Sequence, residues 1–376
     1  MLLLIDILLI LFGFLYFLII GSFIIGWKKI RKPLADQTPH STRVTVIVPA
    51  RNEEKMIGHC VRDIAAQNYP NDLLEIIVID DHSTDRTAEV VQSINYSNLK
   101  LIKLQANPAL NSYKKKAIAD AISVASGDLI ITTDGDCRMG RNWIRSIVNE
   151  YESTGNKMLS APVAYFEESS FLEELQGLEF MGLISLGAAS IANKIAGSCN
   201  GANLAYEKKA FMEVGGFSGI DQIASGDDEL LLHKMLSTYE DKVSFLKSEE
   251  AIVYTHAKPT LKEFIAQRKR WASKSTKYQN KNMVWMGLSV FGFYVMMLIS
   301  LLMAFFNTHF VYVFIAAYLF KCIMDFFWVI PVAHFMNKVK LMKFMPVLVF
   351  VHLFYLVYIG VAGQSKQYEW KGRMVK

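Results

Sequence analysis

The amino-acid sequence predicts an α/β domain with a largely parallel β-sheet, attached to α-helices that cross a membrane. In the middle of the chain, short β-branched runs alternate with helical segments, a pattern that indicates a parallel sheet with helices on both faces. Long apolar stretches lie towards both ends. Hydrophobic residues make up 52% of the 376 residues and charged residues only 20%, which excludes a disordered chain.

The predicted sheet consists of runs rich in Val, Ile and Leu, at residues 43–49, 75–80, 99–104 and 128–133. Helices are predicted between them, at residues 54–67, 84–94 and 114–125. Ligands of such sheets bind outside the carboxyl ends of the strands. We therefore expect the functional residues at those ends.

Four apolar stretches have about the 20 residues that a bilayer crossing requires. They are residues 2–25, 284–306, 310–335 and 344–361. The first is followed directly by Lys28, Lys29, Arg31 and Lys32, which place the middle of the chain in the cytosol by the positive-inside rule. The net charge is only +5 and the cations sit beside apolar runs, which favours membrane contact over nucleic-acid binding.

The orientation of the C-terminus is left open by two conflicting indications. Counting crossings from a cytosolic middle region places the tail outside, whereas its cations Lys366, Lys371, Arg373 and Lys376 favour the inside. The third apolar stretch contains Lys321, Asp325 and Pro331, which are costly or disruptive in lipid and need partners.

The predicted organisation has five parts along the chain. These are an N-terminal transmembrane helix at 1–27, a cytosolic domain at 28–258, an interfacial helix region at 259–283, about three transmembrane segments at 284–363 and a basic tail at 364–376. The four cysteines have neither zinc-like nor redox spacing, so the pattern supports neither a disulfide scaffold nor a cysteine metal site.

Residues 133–136 (TDGD) follow the last predicted strand and form the first candidate site. Two carboxylates separated by glycine can bring oxygens to one hard divalent cation, Mg²⁺ or Mn²⁺, which would neutralise a nucleotide diphosphate. A solvated Asp-Gly-Asp turn is the alternative interpretation.

Two further acidic motifs are candidate sites because they also bring several carboxylates close together. Residues 80–85 (DDHSTD) come after the second strand, where a carboxylate can accept hydrogen bonds from a base or a ribose, while the motif also caps the next helix. Residues 225–229 (SGDDE) place three acids in a row, which suits a general base acting on a hydroxyl nucleophile. The alternative interpretation of residues 225–229 is an acidic helix N-terminus stabilised by the helix dipole.

Residues 267–271 (QRKRW) form the fourth motif, just before the late apolar stretches. Gln267, Arg270 and Trp271 are spaced i, i+3 and i+4, so they share one helix face. Arginine can bind a phosphate through two parallel hydrogen bonds and tryptophan can stack on a sugar. A basic interfacial helix with a tryptophan at the membrane surface is the alternative.

Taken together and in this order, the motifs resemble glycosyltransferase family 2 in its membrane-integral form. The matching segments are VTVIVPARNEE (44–54), VIDDHSTD (78–85), TDGD (133–136), NGANLAY (200–206), VGGF (214–217), SGDDE (225–229) and QRKRW (267–271). The resemblance implies a GT-A fold, which is Rossmann-like, together with a nucleotide-diphosphate sugar donor, a divalent metal and inversion at the anomeric carbon.

The resemblance also implies a role for individual residues. Pro49, Asn52, Glu53, Asp80 or Asp81, Lys114 and Asp134 would bind the nucleotide sugar, Asp134 and Asp136 the metal, Asp228 would be the catalytic base, and Gln267, Arg270 and Trp271 would bind the acceptor and the diphosphate. The base motif is more often Glu-Asp in the family and reads Asp227-Asp228 here. Polymer-extruding members have a more elaborate membrane channel, so processivity stays open.

The expected function is inverting transfer of a sugar from a nucleotide-diphosphate sugar, expected to be a UDP-sugar, to a hydroxyl of a lipid or saccharide acceptor. We expect it at the cytosolic face of a bacterial-type inner membrane, in cell-envelope polysaccharide or glycolipid synthesis, with membrane lipid as a partner and no nucleic acid. One alternative is transfer to a polyprenyl phosphate, which needs little base catalysis and would tolerate substitution of Asp228. The other is a non-catalytic nucleotide-sugar-binding membrane protein, which the intact acids disfavour.

Overall fold

The computed structural model describes residues 2–34, 39–105, 112–223, 225–273, 281–362, 368–370 and 373–375. These residues form two compact units. The sheet unit comprises Lys29–Glu167, Ser190–His256 and Glu369–Lys376, and the helical unit comprises Met1–Lys28, Glu168–Ala189 and Ala257–Tyr368. Of the predicted basic tail, residues 364–367, 371, 372 and 376 lie outside the described residues.

Twelve strands are present in the described part of the chain. They are β1 (Val44–Ala50), β2 (Leu74–Asp80), β3 (Leu99–Lys103), β4 (Leu129–Thr132), β5 (Arg138–Met139), β6 (Met158–Ser160), β7 (Val163–Tyr165), β8 (Leu204–Glu207), β9 (Val243–Phe245), β10 (Val253–Thr255), β11 (Tyr368–Trp370) and β12 (Arg373–Val375).

The described α-helices also number twelve. They are α1 (Leu2–Lys29), α2 (Ile57–Ala65), α3 (Thr87–Gln92), α4 (Tyr113–Val124), α5 (Trp143–Thr154), α6 (Phe171–Ala192), α7 (Lys208–Glu213), α8 (Glu229–Thr238), α9 (Leu261–Ala272), α10 (Lys281–Met303), α11 (Thr308–Phe335) and α12 (Met345–Ala362).

A seven-stranded sheet in the order β3-β2-β1-β4-β8-β6-β9 forms the centre of the sheet unit. All its pairs are parallel except the two that β8 makes with β4 and β6. The central strands are continuous apolar runs because both faces are covered: Val46 pairs with Ile76 and Ile131, and all three are fully buried. The predicted α/β class with a mostly parallel sheet is confirmed.

A smaller sheet continues from the TDGD motif. Its order is β5-β10-β7, with β10 antiparallel to β5 and parallel to β7. Because β5 begins at Arg138, two residues after Asp136, this sheet fixes the downstream side of the TDGD loop.

The helical unit contains the apolar helices. The four predicted apolar stretches correspond to α1, α10, α11 and α12, and each helix is long and apolar enough to cross a membrane, α12 together with the short helical turn before it. The helix α6 meets the same criteria, although 83% of its apolar window is buried against 22–28% for the others. It was not among the predicted spans.

The sheet pairing excludes a single membrane crossing by α6. Strand β6 precedes this helix and strand β8 follows it, yet the two strands pair directly, with Leu159 opposite Ala205. Both ends of α6 must therefore lie on the same side of any membrane. The described part of the chain contains five helices long and apolar enough to cross a membrane, and the sequence predicts four of them.

The charged residues of α11 have the partners that the sequence requires. Lys321 and Asp325 are almost completely buried and form an ion pair one helical turn apart. The hydroxyl of Tyr16 donates to Asp325, and Lys321 Nζ donates to the Tyr16 oxygen at 3.0 Å. This cluster joins α1 to α11 and satisfies charges that would be costly in an apolar environment.

Candidate active site

The carboxyl ends of β1 and β2 lie side by side and carry two of the predicted motifs. The strands pair in parallel with Ala50 opposite Asp80, and the backbone N–H of Asp81 donates to the Ala50 carbonyl at 2.8 Å. Pro49 lies within β1, opposite Ile79. The sheet thus brings the loop after β1 next to the loop after β2.

Asn52 joins these two loops by hydrogen bonds in both directions. Its backbone N–H donates to Ser83 Oγ at 3.0 Å, and its Oδ1 accepts from the Thr84 N–H at 2.8 Å. Its φ of 53° is in the left-handed region, which asparagine tolerates better than most residues. Asn52 therefore has a structural role at the position where it is predicted to contact the nucleotide.

Asp80 and Asp81 are buried, and both are oriented by the loop that follows them. Asp80 Oδ1 accepts from the Ser83 N–H at 2.9 Å, and Asp81 Oδ1 lies 2.9 Å from His82 Nδ1. Carboxylates fixed at a strand end suit recognition of a base or a ribose. That Asp80 or Asp81 recognises the base or the ribose stays a prediction.

The TDGD loop after β4 packs closely against the loop after β1. A Cβ atom on Gly135 would lie 3.2 Å from Ile57 Cδ1 and 3.4 Å from Glu53 Cγ, so this approach favours glycine. Asp134 and Asp136 flank Gly135 and are half-buried. Glu53 and the two aspartates of the motif are therefore neighbours at one end of the sheet.

The negative charge of this loop affects the pKa of two buried cysteines. Burial, followed by the charge of Asp136, raises the pKa of both Cys60 and Cys137 well above the ordinary thiol value. The Cys60 thiol lies 3.5 Å from the Asp134 carbonyl oxygen, and Cys137 Sγ lies 3.8 Å from Asp136 Oδ1. Both thiols stay protonated at neutral pH, so neither is a nucleophile.

Lys114 connects the TDGD loop with the SGDDE loop. Its Nζ lies 2.8 Å from Asp134 Oδ1 and 3.3 Å from Asp227 Oδ2. Burial lowers the pKa of Lys114, but the charges of Asp134 and Asp227 outweigh this effect and raise it overall. A permanently charged ammonium group thus lies between two acidic motifs that are far apart in the sequence.

Asp228 caps the N-terminus of α8 and contacts the NGAN segment. Its Oδ1 accepts from the Glu229 N–H at 2.7 Å, and its Oδ2 accepts from the Gly201 N–H at 3.0 Å. A Cβ atom on Gly201 would lie 3.2 Å from Asp227 Oδ2 and 3.3 Å from Asp228 Cβ. The alternative interpretation of the acidic run as a helix N-terminus is therefore also true, and the two interpretations are compatible because each carboxylate oxygen accepts more than one hydrogen bond.

Lys115 holds the SGDDE loop and the segment before it through their backbone carbonyl oxygens, a role that the sequence did not indicate. The side chain is almost completely buried, and Nζ donates to the carbonyl oxygens of Ile220, Ile223 and Ser225, the last at 2.8 Å. Lys114 and Lys115 are thus adjacent lysines with different functions, one paired with carboxylates and one with backbone oxygens.

Asn203 holds the NGAN segment in the core of the sheet unit. It is fully buried, its Oδ1 accepts from Trp143 Nε1 at 2.9 Å, and its Nδ2 donates to the carbonyl oxygens of Pro162 and Ala251 at 2.7 Å. Since every polar atom of the amide is used internally, Asn203 positions the segment and does not face a substrate.

The chemistry of the carboxylates fits a divalent metal completed by its substrate. Within the residues that the structure describes, no group of three or more His, Cys, Asp or Glu side chains forms a ready metal site. Mg²⁺ is usually bound by one or two carboxylates together with waters and substrate phosphates. Asp136, half-buried beside Asp134 and without a basic partner among the described residues, fits this donor set.

The residues of the QRKRW motif lie on α9, as the spacing predicts, and belong to the helical unit. Gln267, Arg270 and Trp271 are half-buried, whereas Arg268 is buried at 4% exposure. The sequence did not assign a role to Arg268, because an arginine in a basic run is more often solvated than buried.

Comparison with known proteins shows which family and which fold the chain resembles. Residues 45–215 match the model of glycosyl transferase family 2. The fold is similar to that of the mannosyltransferase PcManGT from Pyrobaculum calidifontis, solved in complex with GDP-Man and Mn²⁺, with a TM-score of 0.60 and 17% identity over 93% of this chain and 98% of that chain. The fold is thus the GT-A fold of glycosyltransferases, and residues 45–215, less than half of the chain, are similar to glycosyltransferase family 2.

Curated relatives are similar over part of their length. Beta-monoglucosyldiacylglycerol synthase of Synechocystis sp. is 26% identical over 233 residues, which are 61% of this chain and 47% of that protein. The 4,4'-diaponeurosporenoate glycosyltransferase of Staphylococcus aureus is 30% identical over 131 residues, 35% of this chain and 34% of that protein. The matched part of this chain spans about half the length of these relatives or less.

Proposed function

We propose that the chain is an inverting glycosyltransferase that moves a sugar from a UDP-sugar or a related nucleotide-diphosphate sugar to a hydroxyl acceptor. The reaction takes place at the cytosolic face of a bacterial-type inner membrane and serves glycolipid or cell-envelope polysaccharide synthesis. The observation that carries this proposal is the position of Lys114, whose ammonium group lies within 3.3 Å of both Asp134 and Asp227.

The contacts of Lys114 support a single site made from three motifs. Asp227 is followed by Asp228, which accepts a hydrogen bond from Gly201, and Asp134 precedes Gly135, which packs against Glu53. A nucleotide diphosphate would lie along this edge, with its base or ribose at Asp80, Asp81 and Asn52 and its phosphates near Lys114.

Asp228 is proposed as the general base of a single in-line displacement. Its carboxylate takes the proton of the acceptor hydroxyl while the acceptor oxygen forms a bond to the anomeric carbon. At the same time the bond from that carbon to the diphosphate oxygen breaks, and the diphosphate leaves with the electron pair. The Gly201 and Glu229 N–H groups hold the Asp228 carboxylate in a fixed orientation.

Charge develops on the departing diphosphate, which is where fixed cations help most. Lys114 is positioned to bind a phosphate oxygen, and Asp136 with Asp134 would hold the divalent metal. When bound, Mg²⁺ or Mn²⁺ supplies positive charge to the diphosphate and lowers the cost of its departure.

The membrane helices and the relatives favour a lipid acceptor. The names of the two curated relatives refer to monoglucosyldiacylglycerol and to 4,4'-diaponeurosporenoate, and four of the candidate membrane-crossing helices flank or follow the catalytic part of this chain. The cations Lys28, Lys29, Arg31 and Lys32 after the first helix favour a cytosolic location of the sheet unit. Gln267, Arg270 and Trp271 are proposed to bind the acceptor and the diphosphate.

The proposal is tested by incubating membranes that contain the chain with labelled UDP- and GDP-sugars, with Mn²⁺ or with EDTA, and extracting lipid and polymer. We expect one sugar to enter the lipid extract only with the metal, and Asp136→Asn to abolish the transfer. The matched control Asp120→Asn changes a half-buried aspartate outside the site and should transfer normally. Absence of transfer from every donor, with no binding of UDP or GDP to the purified protein, would refute the proposal.

A further inference from the structure

Arg268 is a buried arginine and the second residue of the QRKRW motif. It lies on α9 with 4% of its surface exposed, between the two motif residues Gln267 and Trp271. A guanidinium group is rarely buried without partners, because removing its charge from water costs several kcal/mol. Its contacts therefore show what the side chain stabilises.

Two sides of the guanidinium group are used for hydrogen bonds. Nε and Nη2 donate to Oε2 of Glu179 on α6, at 3.1 and 2.6 Å, and Nη1 donates to Oε1 of Gln267 at 2.7 Å. Glu179 is itself buried, so this ion pair is shielded from solvent. The amide oxygen of Gln267 thus accepts a hydrogen bond from Arg268, which fixes the position of the amide.

The flat faces of the guanidinium group contact aromatic rings. Its central carbon lies 4.2 Å from the ring centre of Trp271 and 4.6 Å from that of Phe264. The Trp271 ring also lies 6.1 Å from the ring of Phe180, centre to centre. Trp271 is thus held by Arg268 on one side and is near a second aromatic ring of the same unit.

We propose that Arg268 is a positioning residue for acceptor binding, which it achieves by fixing the amide of Gln267 and the ring of Trp271. Glu179 holds Arg268 in place. The inference rests on the proposed function, in which Gln267 and Trp271 bind the acceptor. Lysine cannot replace this arginine, because a single ammonium group cannot contact Glu179 and Gln267 in one plane while stacking on Trp271.

The test compares Arg268→Lys, Glu179→Gln, Arg268→Glu and the charge-exchanged double variant Arg268→Glu/Glu179→Arg in full-length protein. We expect Arg268→Lys to raise the KM for the acceptor about tenfold or more, while the KM for the nucleotide sugar changes less than about twofold. Glu179→Gln should have a smaller effect in the same direction. The double variant should recover part of the acceptor affinity relative to Arg268→Glu alone.

A matched control separates positioning from a general loss of stability. Lys338 and Glu168 form another ion pair in the helical unit, at 2.6 Å, and neither residue lies on α9. Lys338→Gln should lower thermal stability without changing the KM for the acceptor. Folded Arg268→Lys and Glu179→Gln proteins with a wild-type acceptor KM would overturn the inference, and so would an equal rise in both KM values. Absence of transfer by the wild-type chain would instead refute the proposed function.

Discussion

The ammonium nitrogen of Lys114 lies 2.8 Å from Oδ1 of Asp134, the first carboxylate of the TDGD loop. The same nitrogen lies 3.3 Å from Asp227 Oδ2. In this arrangement a lysine neutralises two acids that are proposed to surround a metal and a diphosphate. Lys114 therefore competes with a divalent cation for Asp134. Its positive charge also favours binding of the phosphates of the sugar donor.

Removal of the Lys114 charge should have opposite effects on metal and donor. In Lys114→Gln we expect Mn²⁺ to bind about tenfold more tightly in the absence of nucleotide, because a cation close to the metal-binding carboxylate is gone. Binding of UDP or GDP should weaken by a similar factor. Mn²⁺ binding to the purified protein is measured by electron paramagnetic resonance, and nucleotide binding by calorimetry.

The neighbouring lysine provides a matched control for this experiment. Lys116 is on the same helix, is about half exposed and pairs with Asp120 one turn away. Lys116→Gln should leave both affinities unchanged. Weaker Mn²⁺ binding by Lys114→Gln than by the wild type would show that Lys114 does not oppose the metal.

Lys115 should be required for the stability of the SGDDE loop. Lys115→Met leaves the carbonyl oxygens of Ile220, Ile223 and Ser225 without their buried donor. We expect the free energy of unfolding to fall by about 3 kcal/mol, since each unpaired buried group costs about 1–3 kcal/mol. Thermal unfolding followed by fluorescence measures the change, and an unchanged melting temperature would be inconsistent with this role.

Asn203 should be intolerant of truncation. Asn203→Ala removes the partners of Trp143 Nε1 and of two backbone carbonyls, all in the buried core. A loss of about 3 kcal/mol or more is expected for the same reason. Asn68→Ala, which changes an exposed asparagine of the same unit, should cost much less in the same unfolding assay. Similar losses for the two variants would argue against the structural role of Asn203.

Glu75 should make the sheet unit sensitive to acid. Burial raises the pKa of Glu75, but hydrogen bonds from Lys100, Thr45 and Ser126 outweigh it and hold the pKa below its ordinary value of about 4.5. A lowered pKa in the folded state means that the stabilisation is complete above pH about 4.5 and is lost as the pH falls through the folded-state pKa.

The variant Glu75→Gln should therefore lose less stability than the wild type when the pH is lowered from 5 to 3. Melting temperatures across that range measure the difference. Glu89→Gln changes an exposed glutamate and serves as control. Parallel curves for Glu75→Gln and the wild type would contradict the assignment.

The strands and the helices of the sheet unit could be predicted because local signals agree with the fold. The run at 75–80, for example, is buried along its whole length as part of β2 (Leu74–Asp80), and the segment predicted at 114–125 is the helix α4 (Tyr113–Val124). The carboxyl ends of parallel strands meet at one edge, so the acids after β1, β2 and β4 were expected together.

The sequence could not indicate residues whose role depends on distant partners. Arg268 and Lys115 each lie beside other cations in a basic run, and only tertiary contacts distinguish the buried cation from its neighbours. The helix α6 was not predicted as a membrane segment because it carries Glu173 and Glu174 in its first turn and Glu179 further along. That α6 does not make a single membrane crossing follows from the pairing of β6 with β8, which no local pattern reveals.

The most direct test of the proposed chemistry is the transfer rate of Asp228→Asn in the full-length protein. Asparagine is about as good an N-cap as aspartate, so its single amide oxygen should keep the N-terminus of α8, although the hydrogen bond from the Gly201 N–H is lost. The exposed Asp221→Asn variant is the matched control. We expect the turnover rate of Asp228→Asn to fall by about 10²–10⁴, with nucleotide binding close to that of the wild type and a slightly lower melting temperature. Full turnover by a folded Asp228→Asn protein would contradict base catalysis by Asp228 and would favour an acceptor that is already an anion.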